Sequence, residues 1–234
     1  MTEYIIIGIL IFSIPFIVQI TFKKGIQKGM NDFLKLLLVN GFNSKINAFK
    51  KQNAYVKPGG IVFLGDSITQ DFNVYEYFTG LNVYNRGIGG DTTEGLLTRL
   101  DVSVFDLNPA KVSILIGTND FALLNTSPKE IYERILEVIK KIKLFDPQID
   151  IILQSVYPVN SDLSPMTVLP RQNSGISKLN DMLKQVEEVT YVDLYSLLVD
   201  SNQKLNPMYT VEGLHINEQG YELIAKSLMK FIND

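Results

Sequence analysis

The sequence predicts an α/β fold: a three-layer α/β/α sandwich around a five-stranded parallel sheet, preceded by an N-terminal transmembrane helix. From residue 60 onward, short apolar runs alternate with segments of helical periodicity, which is typical of a parallel sheet with helical connections. The apolar runs are nearly continuous, as expected for strands covered on both faces. Right-handed crossovers would then place helices on both sides of the sheet.

The five apolar runs are the predicted strands, and two of the helices beside them carry clear capping signals. Ser127, Pro128 and Glu130 form the pattern of a capping box, and an apolar stripe of helical spacing follows them. Asn217 is predicted to cap the last helix. The predicted strands are Gly60–Gly65, Val83–Gly87, Lys111–Gly117, Asp150–Val156 and Tyr191–Tyr195.

Residues 4–22 form an apolar run without a single charged side chain. A helix needs roughly 20 such residues to cross a bilayer, and Pro15 would be tolerated as a kink. A cleaved signal peptide would carry a basic segment before the run and small residues at a cleavage site, and neither is present. A buried core helix is the other alternative. We predict an uncleaved, single-pass membrane anchor over residues 1–22.

Residues 23–58 are predicted to be a helical linker between the anchor and the main domain, residues 59–234. Phe33, Leu37 and Phe49 recur at helical spacings among lysines and asparagines. This segment is either an amphipathic helix that lies on lipid or a helix that packs on the main domain. Pro58–Gly60 is a chain break and marks the start of that domain.

Composition excludes several classes of function. The net charge is −3, so no strong basic field indicates a nucleic-acid partner. The chain has no cysteine, which excludes disulfides, thiolate metal sites and a cysteine nucleophile. It has one histidine, His215, whereas a histidine-based zinc site normally needs more than one. We predict no metal and no cofactor.

The first predicted strand ends in the sequence Gly65–Thr69, which contains Ser67. A serine at a strand-to-helix turn projects into the ligand crevice of a parallel sheet, and its own N–H lies at a helix N-terminus, where it can stabilise an anion. The segment is not a G-x-S-x-G elbow, because Thr69 replaces the final glycine. The alternative is an ordinary helix cap.

Two further segments follow predicted strands. The glycines of Asn85–Thr93 let the backbone approach a substrate and expose N–H groups, although the segment could simply be a tight turn. No Gly-Lys-Ser/Thr follows, which argues against a phosphate loop and a nucleotide-binding function. Asn119, after the third strand, can aim its side-chain amide at a developing oxyanion or form an Asx turn.

The last segment of interest contains Glu212 and His215 just before the final helix. A histidine base needs an acid that fixes its tautomer and stabilises the imidazolium. A carboxylate three residues earlier on a tight loop can reach the ring. A lone histidine is otherwise a common structural or surface residue.

Taken together, and in this order, the segments resemble the signature blocks of the SGNH hydrolase superfamily, over about residues 60–233. The second block is particularly similar to the branch that contains the platelet-activating-factor acetylhydrolase catalytic subunits. The resemblance implies a flavodoxin-like sandwich and metal-free ester hydrolysis. The matching blocks are Gly65–Thr69, Asn85–Thr92, Gly117–Asp120 and Glu212–Asn217.

By this resemblance, Ser67 is the nucleophile and His215 is the general base, which then acts as the acid for the leaving alcohol. The N–H groups of Ser67 and Gly90 and the side chain of Asn119 form the oxyanion hole. Gly90 is preferred over Gly89 because the family's glycine directly precedes the aspartate of this block.

The sequence departs from the family pattern at two positions near the histidine. Glu212 stands where the family usually has aspartate, and the extra methylene moves the carboxylate by roughly 1.5 Å. Ile216 replaces the usual proline after the histidine. Glu212 is nevertheless predicted to be the orienting acid.

The predicted function is a serine esterase that cleaves carboxylic esters, either short-acyl lipid esters or O-acetyl esters, through an acyl-enzyme intermediate. The alternative is a non-catalytic, membrane-anchored binding module that retains the fold. Lys23, Lys24, Lys28 and Lys35 follow the anchor, and the positive-inside rule would place the main domain in the cytoplasm. Tethered hydrolases often face outward instead, so both orientations stay open.

Overall fold

The structure, a computed structural model, describes residues 2–233, with side chains from residue 21 onward. The chain divides into two compact units, Met1–Asn43 and Ser44–Asp234. Helix α1 spans Thr2–Gln52, and a 3₁₀ turn, Asn53–Tyr55, follows it. Within the second unit, Phe49 of α1 is buried, and the Arg86 guanidinium lies 4.7 Å from its ring centroid.

Apart from residues 21 and 22, the predicted membrane anchor lies outside the residues whose side chains are described. Among the described residues, no helix is both long enough and apolar enough to cross a membrane. From Phe22 to Leu37, a row of exposed large apolar side chains on α1 recurs at intervals of three and four residues, and Lys24, Lys28 and Lys35 fall roughly opposite this row. Leu34, Leu36 and Val39 are exposed as well, outside the row. The exposed apolar side chains on this face are Phe22, Ile26, Met30, Phe33 and Leu37.

The predicted five-stranded parallel sheet is confirmed, and its strand order is β2-β1-β3-β4-β5. Because β1 pairs with both β2 and β3, the chain changes direction across the sheet at β1. The carboxyl ends of β1 and β3 therefore border the crevice in which such sheets bind ligands. The strands are β1 (Ile61–Gly65), β2 (Val83–Gly87), β3 (Lys111–Leu115), β4 (Asp150–Gln154) and β5 (Thr190–Val192).

The apolar side chains of the strands alternate between two buried clusters, so that helices pack on both faces of the sheet. In β1, Val62 and Leu64 enter one cluster, and Ile61 and Phe63 enter the other. The helices after α1 are α2 (Ser67–Asp71), α3 (Val74–Tyr77), α4 (Thr93–Leu97), α5 (Leu100–Ser103), α6 (Pro128–Phe145), α7 (Pro165–Val168), α8 (Asn173–Leu183), α9 (Tyr195–Leu198) and α10 (Glu218–Ile232).

Both predicted helix caps are present. At the start of α6, the Ser127 hydroxyl accepts a hydrogen bond from Glu130 N, and the Glu130 carboxylate accepts one from Ser127 N. The apolar stripe of α6 is buried, as the sequence predicted. At the start of α10, Asn217 Oδ1 accepts a hydrogen bond from Gly220 N at 3.0 Å. These caps satisfy helix N–H groups that would otherwise lack partners.

Candidate active site

Ser67 is the first residue of α2, directly after the carboxyl end of β1. Asp66 caps this short helix through a hydrogen bond from Ile68 N to its Oδ1 atom, 3.0 Å long. The Ser67 hydroxyl lies 3.2 Å from His215 Nε2, although 148 residues separate the two positions. The structure thus brings together the hydroxyl and the imidazole that the sequence singled out.

Contacts between α2 and α10 hold these two distant segments together. The Tyr221 hydroxyl of α10 donates a hydrogen bond of 2.7 Å to the Ile68 carbonyl of α2. The Tyr221 ring also stacks on Phe72 with a centroid separation of 5.0 Å. Because His215 lies three residues before the start of α10 and Ser67 begins α2, this packing sets the distance between them.

Glu212 reaches the far side of the imidazole. Its Oε1 atom lies 2.6 Å from His215 Nδ1 and accepts a second hydrogen bond from His215 N at 3.2 Å. The turn between the two residues is tight, since Gly213 has a φ of +100° and a side chain there would overlap the Asn160 carbonyl. The Thr210 hydroxyl closes the loop by accepting from Gly213 N and donating to the His215 carbonyl. The longer glutamate is therefore accommodated within hydrogen-bond distance of the ring.

Three N–H groups were predicted to form the oxyanion hole, two on the backbone and one on a side chain. In the described part of the chain, neither the backbone N–H of Ser67 nor that of Gly90 has a hydrogen-bond acceptor. The N–H of Gly89, by contrast, donates to Gln70 Oε1 at 3.1 Å. Gly90 adopts a φ of +74°, a conformation that glycine takes without strain. Gly90 rather than Gly89 therefore offers a free donor, and its role in the oxyanion hole stays a prediction.

Asn119 supplies the third group, and both ends of its side-chain amide are bound. Its Nδ2 atom donates to the Asp91 carbonyl at 2.9 Å, and its Oδ1 atom accepts from Arg171 Nη2 at 2.8 Å. The side chain is buried between the loops that follow β2 and β3. An amide has two N–H donors, so one of them stays available to a ligand.

A buried ion pair between Asp91 and Arg99 connects the loop after β2 to the ends of β1 and β2. Asp91 and Arg99 approach to 2.8 Å, and each side chain is only 1% exposed. Arg99 also donates to the carbonyls of Gly65 and Arg86 at 2.9 Å, and so it joins the ends of β1 and β2. Burial raises the pKa of the Asp91 carboxyl, and the adjacent Arg99 charge opposes this effect. The pair fixes the loop that carries Gly90.

Asp66 directly precedes Ser67, and its carboxylate is buried rather than open to solvent. It is 1% exposed, and its Oδ2 atom has no hydrogen-bond partner in the described part of the chain. Burial raises the pKa of this carboxyl to about 7, although the hydrogen bond from Ile68 N and the charge of Arg171 oppose this effect. Burial therefore favours the neutral form of this carboxyl.

Three buried residues were not assigned a role from the sequence: Arg99, Arg171 and Asp120. Asp120 follows Asn119 and accepts hydrogen bonds from the N–H and hydroxyl of Thr93 at the start of α4. Arg99 could have been noticed in the sequence, because it is a charged residue within an apolar pattern of helical spacing. Arg171 carried none, since it follows a proline in an irregular segment.

Among residues 21–233, no cluster of three or more histidine, aspartate or glutamate side chains could hold a metal ion. The chemistry open to the cleft thus starts from a hydroxyl bonded to an imidazole, an imidazole bonded to a carboxylate, and nearby N–H donors. This arrangement is suited to nucleophilic attack on a carbonyl carbon.

Several known proteins are similar to this chain in sequence and in fold. Platelet-activating factor acetylhydrolase IB subunit alpha2 from Rattus norvegicus is 29% identical over 185 residues, which cover 75% of this chain and 77% of the relative. A Streptococcus pneumoniae structure described as a platelet activating factor superposes with a TM-score of 0.81 at 28% identity, over 88% of this chain and 99% of that one. A GDSL-like lipase from Bacteroides thetaiotaomicron gives 0.71 at 25% identity, over 80% and 97%.

The model of the GDSL-like lipase/acylhydrolase family matches residues 63–223, which is more than half of the chain. The match includes the strand end that carries Ser67, both loops that carry the N–H donors, and the segment with Glu212 and His215. The resemblance found in the sequence blocks and the fold of the structure point the same way. The chain therefore belongs to the GDSL-like lipase/acylhydrolase family and is a carboxylic ester hydrolase.

Proposed function

We propose that the protein hydrolyses short-acyl esters through an acyl-enzyme intermediate, with Ser67 as nucleophile, His215 as general base and Glu212 as the orienting acid. The observation that carries this proposal is the unbroken chain from the Ser67 hydroxyl to His215 Nε2 at 3.2 Å and from His215 Nδ1 to Glu212 at 2.6 Å. Both distances are in the range from which a proton can be transferred or held.

In the first half of the reaction, the Ser67 oxygen attacks the ester carbonyl carbon while His215 Nε2 takes the hydroxyl proton. The carbonyl oxygen becomes an oxyanion, which the N–H groups of Ser67 and Gly90 and the free N–H of Asn119 stabilise. When the intermediate collapses, the ester C–O bond breaks and His215 gives the proton to the leaving alcohol. Glu212 stabilises the imidazolium while it exists.

In the second half, water replaces the alcohol. His215 takes a proton from the water, the resulting hydroxide attacks the acyl carbon, and a second oxyanion forms at the same N–H groups. Collapse of this intermediate breaks the bond to Ser67, and His215 returns the proton to the serine oxygen. The products are the carboxylic acid and the free enzyme.

Substitution of the nucleophile tests this mechanism. We expect Ser67→Ala to lower kcat for p-nitrophenyl acetate by about 1,000-fold or more, with an unchanged circular dichroism spectrum, because attack on the carbonyl is lost. The matched control is Ser201→Ala, since Ser201 is an exposed serine on the same unit. Full activity of the Ser67→Ala variant would refute the assignment.

A fluorophosphonate probe separates the enzyme from the alternative, a binding module that retains the fold. An activated serine reacts covalently with the probe, whereas an inert serine does not. We expect the wild-type protein and the Ser201→Ala variant to be labelled and the Ser67→Ala variant to stay unlabelled. Absence of labelling in the wild-type protein would favour the binding module.

For the substrate, we propose an ester with a short acyl group, such as acetyl. The support comes from the similarity to a protein named as a platelet-activating factor acetylhydrolase subunit. An acetyl group on a lipid and one on a sugar hydroxyl both fit the serine chemistry. Rates for p-nitrophenyl esters of two to twelve carbons test the acyl length, and a preference for long chains would contradict the proposal.

We also propose that residues 4–22 anchor the enzyme as a single-pass membrane helix. Support comes from the uncharged apolar run in the sequence and from the exposed apolar face of residues 22–37, which would suit the lipid interface next to a span. We expect the full chain to stay in the membrane fraction after extraction at alkaline pH. Release into the supernatant would contradict the anchor, and protease protection in sealed vesicles would decide the orientation.

A further inference from the structure

Arg171 is an unusual arginine, because it is nearly buried and no carboxylate in the described part of the chain forms an ion pair with it. Its partners are instead carbonyl oxygens: Nε donates to Thr118 at 3.0 Å, and Nη1 donates to Thr167 and Val168 at 3.0 and 3.2 Å. The buried Asp66 carboxylate attracts Arg171 electrostatically but forms no direct ion pair with it. A buried charge without a directly bonded counter-charge costs stability. Such a group calls for an explanation beyond its packing.

The fourth partner of Arg171 is the Oδ1 atom of Asn119, at 2.8 Å. The guanidinium has only donors, so it can bind the oxygen end of the amide and excludes the flipped orientation. The nitrogen end is held by the Asp91 carbonyl at 2.9 Å, which uses one of its two N–H groups. The remaining N–H has no acceptor among the described residues, and its direction is fixed by the two bonds.

We propose that Arg171 is a positioning residue that orients the Asn119 amide toward the developing oxyanion and polarises its free N–H. This inference rests on the proposed function, because it explains how one of the three proposed oxyanion donors, the Asn119 amide, is held in its orientation. A positive charge on the oxygen side of an amide makes its N–H groups stronger donors, and burial keeps that effect from being screened. The benefit arises only when the carbonyl oxygen becomes negative.

Arg171 also joins two loops of the cleft. Through Thr118 and Asn119 it binds the loop after β3, and through Thr167 and Val168 it binds the end of α7. The Val168 side chain lies 3.4 Å from the position that a Cβ atom on Gly213 would occupy, next to the turn that links Glu212 to His215. A structural role in loop packing is therefore the competing explanation, and the experiment must separate it from the positioning role.

A double-mutant cycle with Asn119→Ala makes this separation. We expect Arg171→Met to lower kcat for p-nitrophenyl acetate by about 10- to 100-fold with little change in KM, since the oxyanion donor would lose its orientation. In the Asn119→Ala background, the same change should alter kcat by less than about threefold, because its target is absent. An equal loss in both backgrounds would show that Arg171 acts through packing and would overturn the inference.

Arg134→Met is the matched control. Arg134 pairs with Glu94 and lies 3.6 Å from Asp120, the residue after Asn119, but makes no contact with the Asn119 amide. We expect this variant to lower the melting temperature while kcat stays within about threefold of the wild-type value. A loss of kcat equal to that of Arg171→Met would mean that any loosening of this loop is sufficient, and it would also overturn the inference.

Arg171→Lys covers the case in which Arg171→Met does not fold. A lysine keeps the charge, but its single ammonium group cannot span Thr118 and Asn119 as the guanidinium does. We expect slower fluorophosphonate labelling of Arg171→Lys than of the wild-type protein, and an unchanged rate would contradict the inference.

The labelling and the cycle together separate failure of the inference from failure of the proposed function. If the wild-type protein is labelled at Ser67 but the effects of the two substitutions on kcat are additive, only the inference fails. If the wild-type protein is not labelled, the proposed function fails as well.

Discussion

His215 and Glu212 stand three residues apart on one loop, and their side chains keep 34% and 24% of their area exposed. The residues that contact the loops carrying the proposed N–H donors are much less exposed. Asp91, Arg99 and Arg171 come from separate segments and are almost completely buried. We call these three residues the buried support. A group that gains and loses a proton tolerates contact with water, whereas a group that fixes a donor acts best where no water competes.

This comparison predicts that substitutions in the two regions will affect different measurements. Loss of Asp91 or Arg99 should mainly lower stability, because a buried charge loses its partner, whereas loss of Arg171 is expected to lower kcat as well. Loss of a member of the acid–base loop should lower the reaction rate while the fold persists, because solvent can hydrate the remaining groups.

The largest effect is expected from Asp91→Asn. The substitution leaves the Arg99 guanidinium buried without a counter-charge, which costs about 3–5 kcal/mol in comparable cases. For a chain of this size we expect the melting temperature to fall by roughly 10 °C. Asp101→Asn, at an exposed position of α5, is the control and should change little. An unchanged melting temperature of Asp91→Asn would mean that the ion pair contributes no net stability.

The next effect concerns the acid–base loop. We expect Glu212→Gln to lower kcat by about 100- to 1,000-fold with an unchanged melting temperature, because the amide no longer stabilises the imidazolium. Glu212→Asp keeps the charge but shortens the side chain, so its loss should be smaller, about tenfold. If Glu212→Asp were as slow as Glu212→Gln, the position of the carboxylate rather than its charge would decide the rate.

The same division explains which parts of the site could be predicted from the sequence. Ser67 follows a strand with a recognisable apolar pattern, and Glu212 lies three residues from the only histidine, so both carry local signals. Asn119 and the glycine segment were singled out by their places after predicted strands, and the choice of Gly90 and both roles came from the resemblance to family blocks. Their catalytic roles stay predictions. Hydrogen bonds join Ser67, His215 and Glu212, and another joins Asn119 to the loop that carries Gly90.

Arg171 was not predictable, because its partner Asn119 lies 52 residues away and no periodic pattern connects them. The strands were predicted from their continuous apolar runs, and the capped helix α6 was predicted because its apolar stripe extends over several turns. Helices α3, α5, α7 and α9 have four residues each, which is too short for any period to emerge. Packing against the sheet, rather than local preference, determines such short elements.

Asp66 allows a further test of this comparison, because it is buried like the buried support but directly precedes the proposed nucleophile, Ser67. Burial raises the pKa of this carboxyl from 3.8 to about 7, so the folded state holds its proton over a range in which the unfolded chain has lost it. Its contribution to stability is complete below about pH 4 and is lost as the pH rises through about 7. Relative to Asp66→Asn, the wild-type protein should therefore lose on the order of 2 kcal/mol in the free energy of unfolding between pH 5 and pH 8. Urea denaturation at both pH values measures this difference, with Asp71→Asn as the exposed control. Parallel pH profiles for the wild-type protein and Asp66→Asn would show that the carboxyl is charged in the folded state and that water or a conformational change compensates its burial.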